Sequence, residues 1–172
     1  MRATEHGFTL IETMIALGLL LIVAAGVLPM GLIAVNTTEN QGHLNARVAE
    51  YAQDKLEQLM SLSYGNVIAD TRVFPANPTG GSGLTFGGGV NPAAPVDLYV
   101  DYLDADGTLI LSVGGAPPAG WFYQRLWAIT AAPSGTANLK LLTVTVIVQS
   151  AAVGGSGQMP QATVAALKTA PF

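Results

Sequence analysis

The chain contains no cysteine among its 172 residues. A disulfide framework and a zinc site built on thiolates are therefore excluded. Charged residues are also scarce, since seven Lys and Arg and eleven Asp and Glu give a formal net charge of −4. The basic residues are scattered and form no patch that would neutralise phosphates, so we expect no nucleic-acid partner. Half of the residues are hydrophobic, which allows one membrane span and one modest soluble domain.

A calcium site is the first chemical possibility to test, at Asp104-Ala-Asp106-Gly107. An EF-hand loop in that register needs an acidic ligand where Tyr102 stands and a glutamate where Val113 stands. Asp-Gly is instead typical of a hairpin turn. The segment therefore predicts a turn and no metal.

Catalytic motifs are also missing. Ser82 and Ser156 lie among glycines, but neither completes G-x-S-x-G. The glycine run 87–89 lacks the Lys-Ser/Thr of a phosphate-binding loop. His6 and His43 have no partner at ligand spacing, and we expect His43 on a polar helix face. The sequence thus indicates a protein that is not an enzyme and uses no cofactor.

An apolar run covers residues 8–35, and its only polar side chains are Thr9, Glu12 and Thr13. A span needs about 20 apolar residues, so the run predicts a transmembrane helix. Pro29 lies late in this run between two glycines. We expect either a kink or a locally melted stretch there, and a tolerated kink fits as well as a functional hinge.

Residues 37–62 show the pattern of an amphipathic half-helix. Apolar residues recur at spacings of three and four: Leu44, Val48, Tyr51 or Ala52, Leu56, Leu59 and Leu62. Charged residues are expected on the remaining faces: Arg47, Glu50, Asp54, Lys55 and Glu57. The apolar stripe predicts a helix that covers a core.

Strand patterns dominate the rest of the chain after a Gly/Pro-rich loop expected at 74–95. The predicted β-sheet spans 96–168, with strands at 96–103, 108–113, 121–129, 142–148 and 161–168. A helix followed by strands indicates an α+β fold, in which the half-helix covers one face of an antiparallel sheet. Leu56 and Leu59 are expected against the strand at 142–148.

The stretch Gly7-Phe8-Thr9-Leu10-Ile11-Glu12 distinguishes the N-terminus from a secretory signal peptide. Such a peptide has a basic n-region and an uninterrupted apolar core, whereas here Arg2 is offset by Glu5 and Glu12 interrupts the core. The stretch resembles the processing motif of type IV prepilins and of type II secretion pseudopilins. The resemblance implies a pilin-like fold and a leader, 1–7, that prepilin peptidase removes after Gly7. It also implies N-methylation of Phe8 and a role for Glu12 in assembly.

A physical argument supports this role for Glu12. An ionised carboxylate in an apolar span is unfavourable by a few kcal/mol, and acidic residues in spans are usually functional. Processing would leave a cationic amine at Phe8. In a filament core, the amine of a neighbouring subunit would pair with Glu12 and reduce the cost of burying it.

Weaker similarities extend further along the chain. Pro29 falls where many type IV pilins have a helix-kinking proline, and 49–59 is similar to the end of the long helix in PilV-type minor pilins. Major pilins often close a C-terminal loop with a disulfide, which this chain cannot form. The resemblance therefore favours a minor pilin or a minor pseudopilin.

Three functions remain open from the sequence. The first is a minor pilin that helps to assemble or prime an extracellular pilus, and the second is a minor pseudopilin of a type II secretion system. Both imply a single-pass inner-membrane protein whose domain 36–172 lies outside the cytoplasm, destined for a pilus or a periplasmic pseudopilus. Their expected partners are other pilin or pseudopilin subunits, prepilin peptidase, the inner-membrane assembly platform and, before assembly, membrane lipid. The third is a membrane-anchored binding domain that does not polymerise.

Overall fold

The computed structural model describes residues 7, 9–132, 138–149 and 159–171, with side chains at all of these except 36, 37 and 40. The chain divides into two compact units, Met1–Gly42 and His43–Phe172. One helix, α1 (Leu10–Ser61), contributes its first part to the first unit and its last part to the second. The second unit packs this last part against an antiparallel sheet, which confirms the predicted α+β, pilin-like class.

Among the described residues, the first unit consists mainly of the part of α1 up to Gly42. Its region Leu10–Val35 is long and apolar enough to cross a membrane, with a mean hydropathy of 2.5. Pro29 lies inside α1, which stays helical on both sides of it, so the expectation of a locally melted stretch is wrong. A proline removes one N–H donor, and the bonds of the neighbouring turns hold the helical conformation here.

The described residues of the second unit form eight strands in two sheets. Their bounds are β1 (Ala69–Asp70), β2 (Asn77–Gly80), β3 (Gly87–Gly88), β4 (Val100–Leu103), β5 (Leu109–Ile110), β6 (Tyr123–Ala131), β7 (Leu139–Val148) and β8 (Gln161–Thr169). The main sheet has the order β5-β4-β6-β7-β8, with β3 also pairing with β6, and every pairing in it is antiparallel. Strands β1 and β2 form a separate antiparallel pair.

The core lies between α1 and one face of the main sheet. Val48, Ala52 and Leu59 of the helix are buried in one cluster with the alternate residues of β7 that run from Leu142 to Val148. This burial confirms the prediction for Leu59, whereas Leu56 is only partly buried against the same cluster. The alternation of β7 directs one set of side chains towards the helix, as expected for a strand covered on one face.

The placement of Lys55 on a polar face was wrong, because its side chain is fully buried. The reason lies in the helical spacing. Position 55 follows Tyr51 by four residues and precedes Leu59 by four, so all three residues share one face of α1. Both neighbours belong to the core, and Lys55 is therefore held inside with them.

The segment 74–95 is more ordered than the expected loop, since it contains β2 and β3. Gly88 shows why glycines are needed there. Its φ is +79°, and a Cβ at this position would lie 2.3 Å from the carbonyl oxygen of Trp127. Only a glycine permits β3 to approach β6 this closely.

The hairpin predicted around Asp-Gly is present between β4 and β5. A carboxylate oxygen of Asp104 accepts hydrogen bonds from the backbone N–H groups of Asp106 (2.9 Å) and Thr108 (2.8 Å). Gly107 adopts a φ of +87° at the tip, which suits glycine. Asp104 therefore serves the turn.

Candidate functional site

The N-terminal segment holds the residues that the sequence assigned to processing and assembly. Gly7 is exposed and precedes the helix, while Phe8 lies outside the described residues. Glu12 is exposed in the first turn of α1, where the helix macrodipole favours a negative charge. Glu12 and Pro29 belong to the same helix but are about 26 Å apart along its axis, so they do not form one site.

Thr9 is a residue of this segment that the sequence reasoning did not single out. Its hydroxyl accepts a hydrogen bond from the backbone N–H of Glu12 at 3.3 Å. Thr9-Leu-Ile-Glu12 has the T-x-x-E spacing of a capping box, in which a Thr and a Glu satisfy donors at a helix N-terminus. This spacing is the signal that would have identified Thr9 as the start of α1.

The large apolar side chains from Leu10 to Val35 are all exposed. Leu10 is 77% exposed at one end and Val35 is 55% exposed at the other. A helix that is apolar on all sides is stable when lipid or other helices surround it. The segment therefore offers an apolar surface for lipid or for other apolar helices.

A buried ionic cluster joins α1 to the sheet in the second unit, and the sequence did not predict it. Nζ of Lys55 lies 2.7 Å from Oδ2 of Asp101 and also donates to the backbone carbonyl of Thr71. Arg125 donates to both carboxylate oxygens of Asp101, at 2.6 Å and 2.9 Å. The ring centroid of Trp127 lies 4.0 Å from Nζ of Lys55. One carboxylate thus binds two cations from two different elements.

The pKa values in this cluster reflect burial and charge together. Burial lowers the pKa of Lys55 from 10.5 to about 8, and the carboxylate of Asp101 limits the decrease. Burial alone would raise the pKa of the Asp101 carboxyl, but the charges of Lys55 and Arg125 outweigh it and hold that pKa below its usual value. Asp101 therefore remains ionised at neutral pH.

This cluster has the character of a structural connection. The charged groups of Lys55 and Arg125 are both directed at the carboxylate of Asp101, and the side chains of Lys55 and Asp101 are 0% and 2% exposed. No group of three or more His, Cys, Asp or Glu suited to a metal ion occurs in the part of the chain that the structure describes. The cluster can therefore fix the position of the last part of α1 on strands β4 and β6.

Two lysines from neighbouring strands bind backbone carbonyls near the end of α1. Lys168 donates to the carbonyl of Met60 at 2.6 Å, and Lys140 donates to those of Tyr64 at 2.9 Å and Leu84 at 2.8 Å. The last turn of α1 has no basic residue of its own. Lys168 therefore brings a positive charge to the negative end of the helix macrodipole.

The N-terminal segment is similar to a known protein family. Residues 2–28 match the family model of the prokaryotic N-terminal methylation motif. The matched range includes Gly7, Phe8 and Glu12 and continues into the apolar part of α1. The curated proteins contain no match to this chain, and neither do the solved structures.

The methylation motif supports a precursor of the type IV pilin or pseudopilin kind. A prepilin-type motif implies processing by prepilin peptidase and assembly with other pilins. Within the described residues, one helix near the N-terminus is long and apolar enough to cross a membrane, and it is compatible with a membrane anchor, as in prepilins. The methylation motif belongs to a structural rather than a catalytic class of proteins.

Proposed function

We propose that the protein is a minor type IV pilin, a structural subunit that contributes to the assembly or priming of an extracellular pilus. The observation that carries the proposal is the methylation motif at 2–28, which extends into the exposed apolar helix segment Leu10–Val35. The lack of cysteine favours a minor subunit, since major pilins often close a C-terminal loop with a disulfide. The protein is not an enzyme in this proposal.

Processing is the first step. Prepilin peptidase cleaves after Gly7, which is exposed and precedes the helix, and the new N-terminal residue Phe8 is methylated. Before assembly the segment 8–35 anchors the protein in the inner membrane, with the domain 36–172 outside the cytoplasm. A reporter fused after residue 172 that requires export should then be active, and activity restricted to a cytoplasmic reporter would contradict this topology.

Assembly follows through the apolar part of α1. Thr9 and the macrodipole favour Glu12 in the first helical turn, and in the sequence Glu12 follows the amine created at Phe8 by four residues. In a bundle of such helices, the carboxylate of one subunit pairs with the amine of a neighbour and reduces the cost of burying both charges. This pairing also sets the axial register between subunits.

The experiment is to shear filaments from cells that express the protein and to measure it in the sheared fraction against its membrane pool. We expect the protein in the filaments at a small fraction of the major subunit. Its complete retention in the membrane pool, in cells that make filaments, would refute a role as a filament subunit.

A minor pseudopilin of a type II secretion system shares the methylation motif and the same assembly chemistry. The two functions differ in the fibre that the subunit joins. Secretion of a type II substrate in cells lacking the protein separates them, because loss of secretion with intact piliation would assign the protein to the secretion system. A membrane-anchored binding domain that does not polymerise predicts an uncleaved N-terminus and a dispensable Glu12.

A further inference from the structure

Strand β8 (Gln161–Thr169) forms one edge of the main sheet, and two hydrogen bonds show which backbone groups face outward. Ala170 donates to the carbonyl of Asn138, and Val148 donates to the carbonyl of Pro160. In an antiparallel pair of strands, every second pair of directly opposed residues exchanges two backbone N–H···O=C hydrogen bonds, and the pairs in between exchange none. The even-numbered residues of β8 therefore bond to β7, and the odd-numbered residues direct their N–H and C=O groups away from the sheet.

These outward groups form a regular row. They belong to Gln161, Thr163, Ala165, Leu167 and Thr169. No described residue bonds to them, because β8 pairs with β7 alone and ends the strand order. The row repeats every two residues, about 6.8 Å. Only another extended polypeptide offers N–H and C=O groups at that spacing.

The usual protections of an edge strand are missing from β8. Natural sheets protect edges with short strands, prolines, bulges or charged side chains. Strand β8 has nine residues in unbroken register with β7 and no proline. Its one charged side chain, Lys168, is turned to the helix side and donates to Met60. The opposite edge is formed by β5, which has two residues.

The side chains of these odd-numbered residues indicate which kind of strand could pair with the outer edge of β8. All five are exposed and uncharged, and Thr163 and Ala165 at the centre are small. In the antiparallel register centred on Ala165, a second copy of β8 would place alanine opposite alanine and would gain little from cross-strand contacts. A strand with β-branched or aromatic residues at alternate positions would fill that space.

We propose that the outer edge of β8 is a strand-addition site for an extended, uncharged segment of a different protein chain, with bulky side chains at alternate positions. The added strand continues the main sheet beyond β8 through the backbone groups of the odd-numbered residues. This site is separate from assembly through the N-terminal segment and does not rest on the proposed function.

The test uses the full chain in detergent micelles and a capped synthetic peptide in which four Thr-Val repeats are flanked by lysines. Amide hydrogen exchange by NMR is measured for β8 with and without the peptide. In the protein alone, the amides of residues 162, 164, 166 and 168 should exchange slowly and those of 163, 165 and 167 rapidly. On addition of the peptide, exchange at 163, 165 and 167 should slow at least about tenfold, since each amide gains a hydrogen bond.

Two variants at one position control for the strand itself. Ala165→Pro removes an outward N–H that β7 does not use, and proline is tolerated in edge strands at such positions. It should weaken peptide binding at least about tenfold while amides 162, 164 and 168 stay protected. Ala165→Thr keeps the N–H and should bind the peptide as the wild type does.

Four results would overturn the proposal. The first is that the peptide does not bind, and the second is that Ala165→Pro binds it as well as the wild type does. The third is slow exchange at amides 163, 165 and 167 in the protein alone at high dilution. The fourth is protection of these amides that appears only as the protein concentration rises. The third would mean that the chain covers its own edge. The fourth would identify a second copy as the occupant.

Discussion

Nζ of Lys55 lies 2.7 Å from a carboxylate oxygen of Asp101, and neither side chain is accessible to solvent. Lys55 belongs to α1 and Asp101 to β4, so the ion pair joins the helix to the sheet. Arg125 of β6 holds the same carboxylate from the other side. The cluster therefore connects three elements through a single acidic residue.

Removal of Asp101 should be far more destabilising than removal of Lys55. Asp101→Asn leaves two buried cations without a counter-charge, which should lower the free energy of unfolding by about 3–5 kcal/mol. Lys55→Met leaves Asp101 paired with Arg125 and fills similar space, so its effect should be under about 1.5 kcal/mol. Urea unfolding of a soluble fragment that begins at residue 37 compares the two. Equal losses would show that the three charges do not act as a unit around Asp101.

Stability should rise with pH in the mildly alkaline range. The pKa of Lys55 is about 8 in the folded protein and about 10.5 when it is unfolded, so the unfolded chain binds more protons between these values. The free energy of unfolding should therefore increase by about 1–2 kcal/mol from pH 8 to 9.5.

Lys55→Met is the control for this pH dependence. Burial also lowers the pKa of Lys140 and of Lys168, and these groups act in the same direction. The difference between wild type and Lys55→Met isolates Lys55. Parallel stability curves for the two proteins over this pH range would contradict the assignment.

Each helix or strand could be predicted only where its own stretch of sequence carries a clear periodic pattern. Strand β7 alternates apolar residues with threonine, and α1 has a clear apolar stripe, so both were identified. The short strands β1 to β3 have only two to four residues each and form by pairing with other segments of the chain. Such pairing leaves no periodic signal.

The ionic cluster could not be predicted because its members are far apart in the sequence. Lys55 and Asp101 are charged residues that composition rules assign to the surface. Only the spacing of Lys55 between Tyr51 and Leu59 hinted that it shares their buried face. The methylation motif itself could be predicted from the sequence, because the stretch around Gly7 and Glu12 is short, continuous and local, and the family model matches residues 2–28.

Leu59 provides a test of the helix–sheet core. It is fully buried, so Leu59→Ala should lower the free energy of unfolding by about 2–5 kcal/mol through lost burial and a cavity. Met60, the next residue, is 37% exposed and serves as the matched control, with an expected change below about 1 kcal/mol. Thermal melts of the same soluble fragment measure both. A change under half a kcal/mol for Leu59→Ala would mean that this burial is not part of the stable core.

Glu12→Gln separates two roles of the first helical turn. Glutamine suits the third position of a capping box as glutamate does, so the start of α1 should be preserved. The negative charge is lost, and a neighbour's amine then has no partner in the bundle. We expect processing and membrane insertion to continue while the amount in sheared filaments falls about tenfold or more. Glu12→Asp, which keeps the charge, should retain part of the incorporation.

The opposite result for Glu12→Gln would indicate that the Glu12 side chain has a structural role at the start of α1. If Glu12→Gln were incorporated normally and Thr9→Val were not, capping of α1 rather than charge would explain why the span keeps a glutamate. The hydroxyl of Thr9 accepts the bond from the N–H of Glu12, and valine has a similar shape without that acceptor.

Mass spectrometry of the intact mature protein, isolated from cells that contain prepilin peptidase, tests the central claim most directly. We predict a chain that begins at Phe8 and carries one methyl group on its amine, and a full-length chain in cells that lack the peptidase. A chain that still begins at Met1, or one cut inside the apolar part of α1 after Ala25, would contradict the assignment of this protein to the prepilin class.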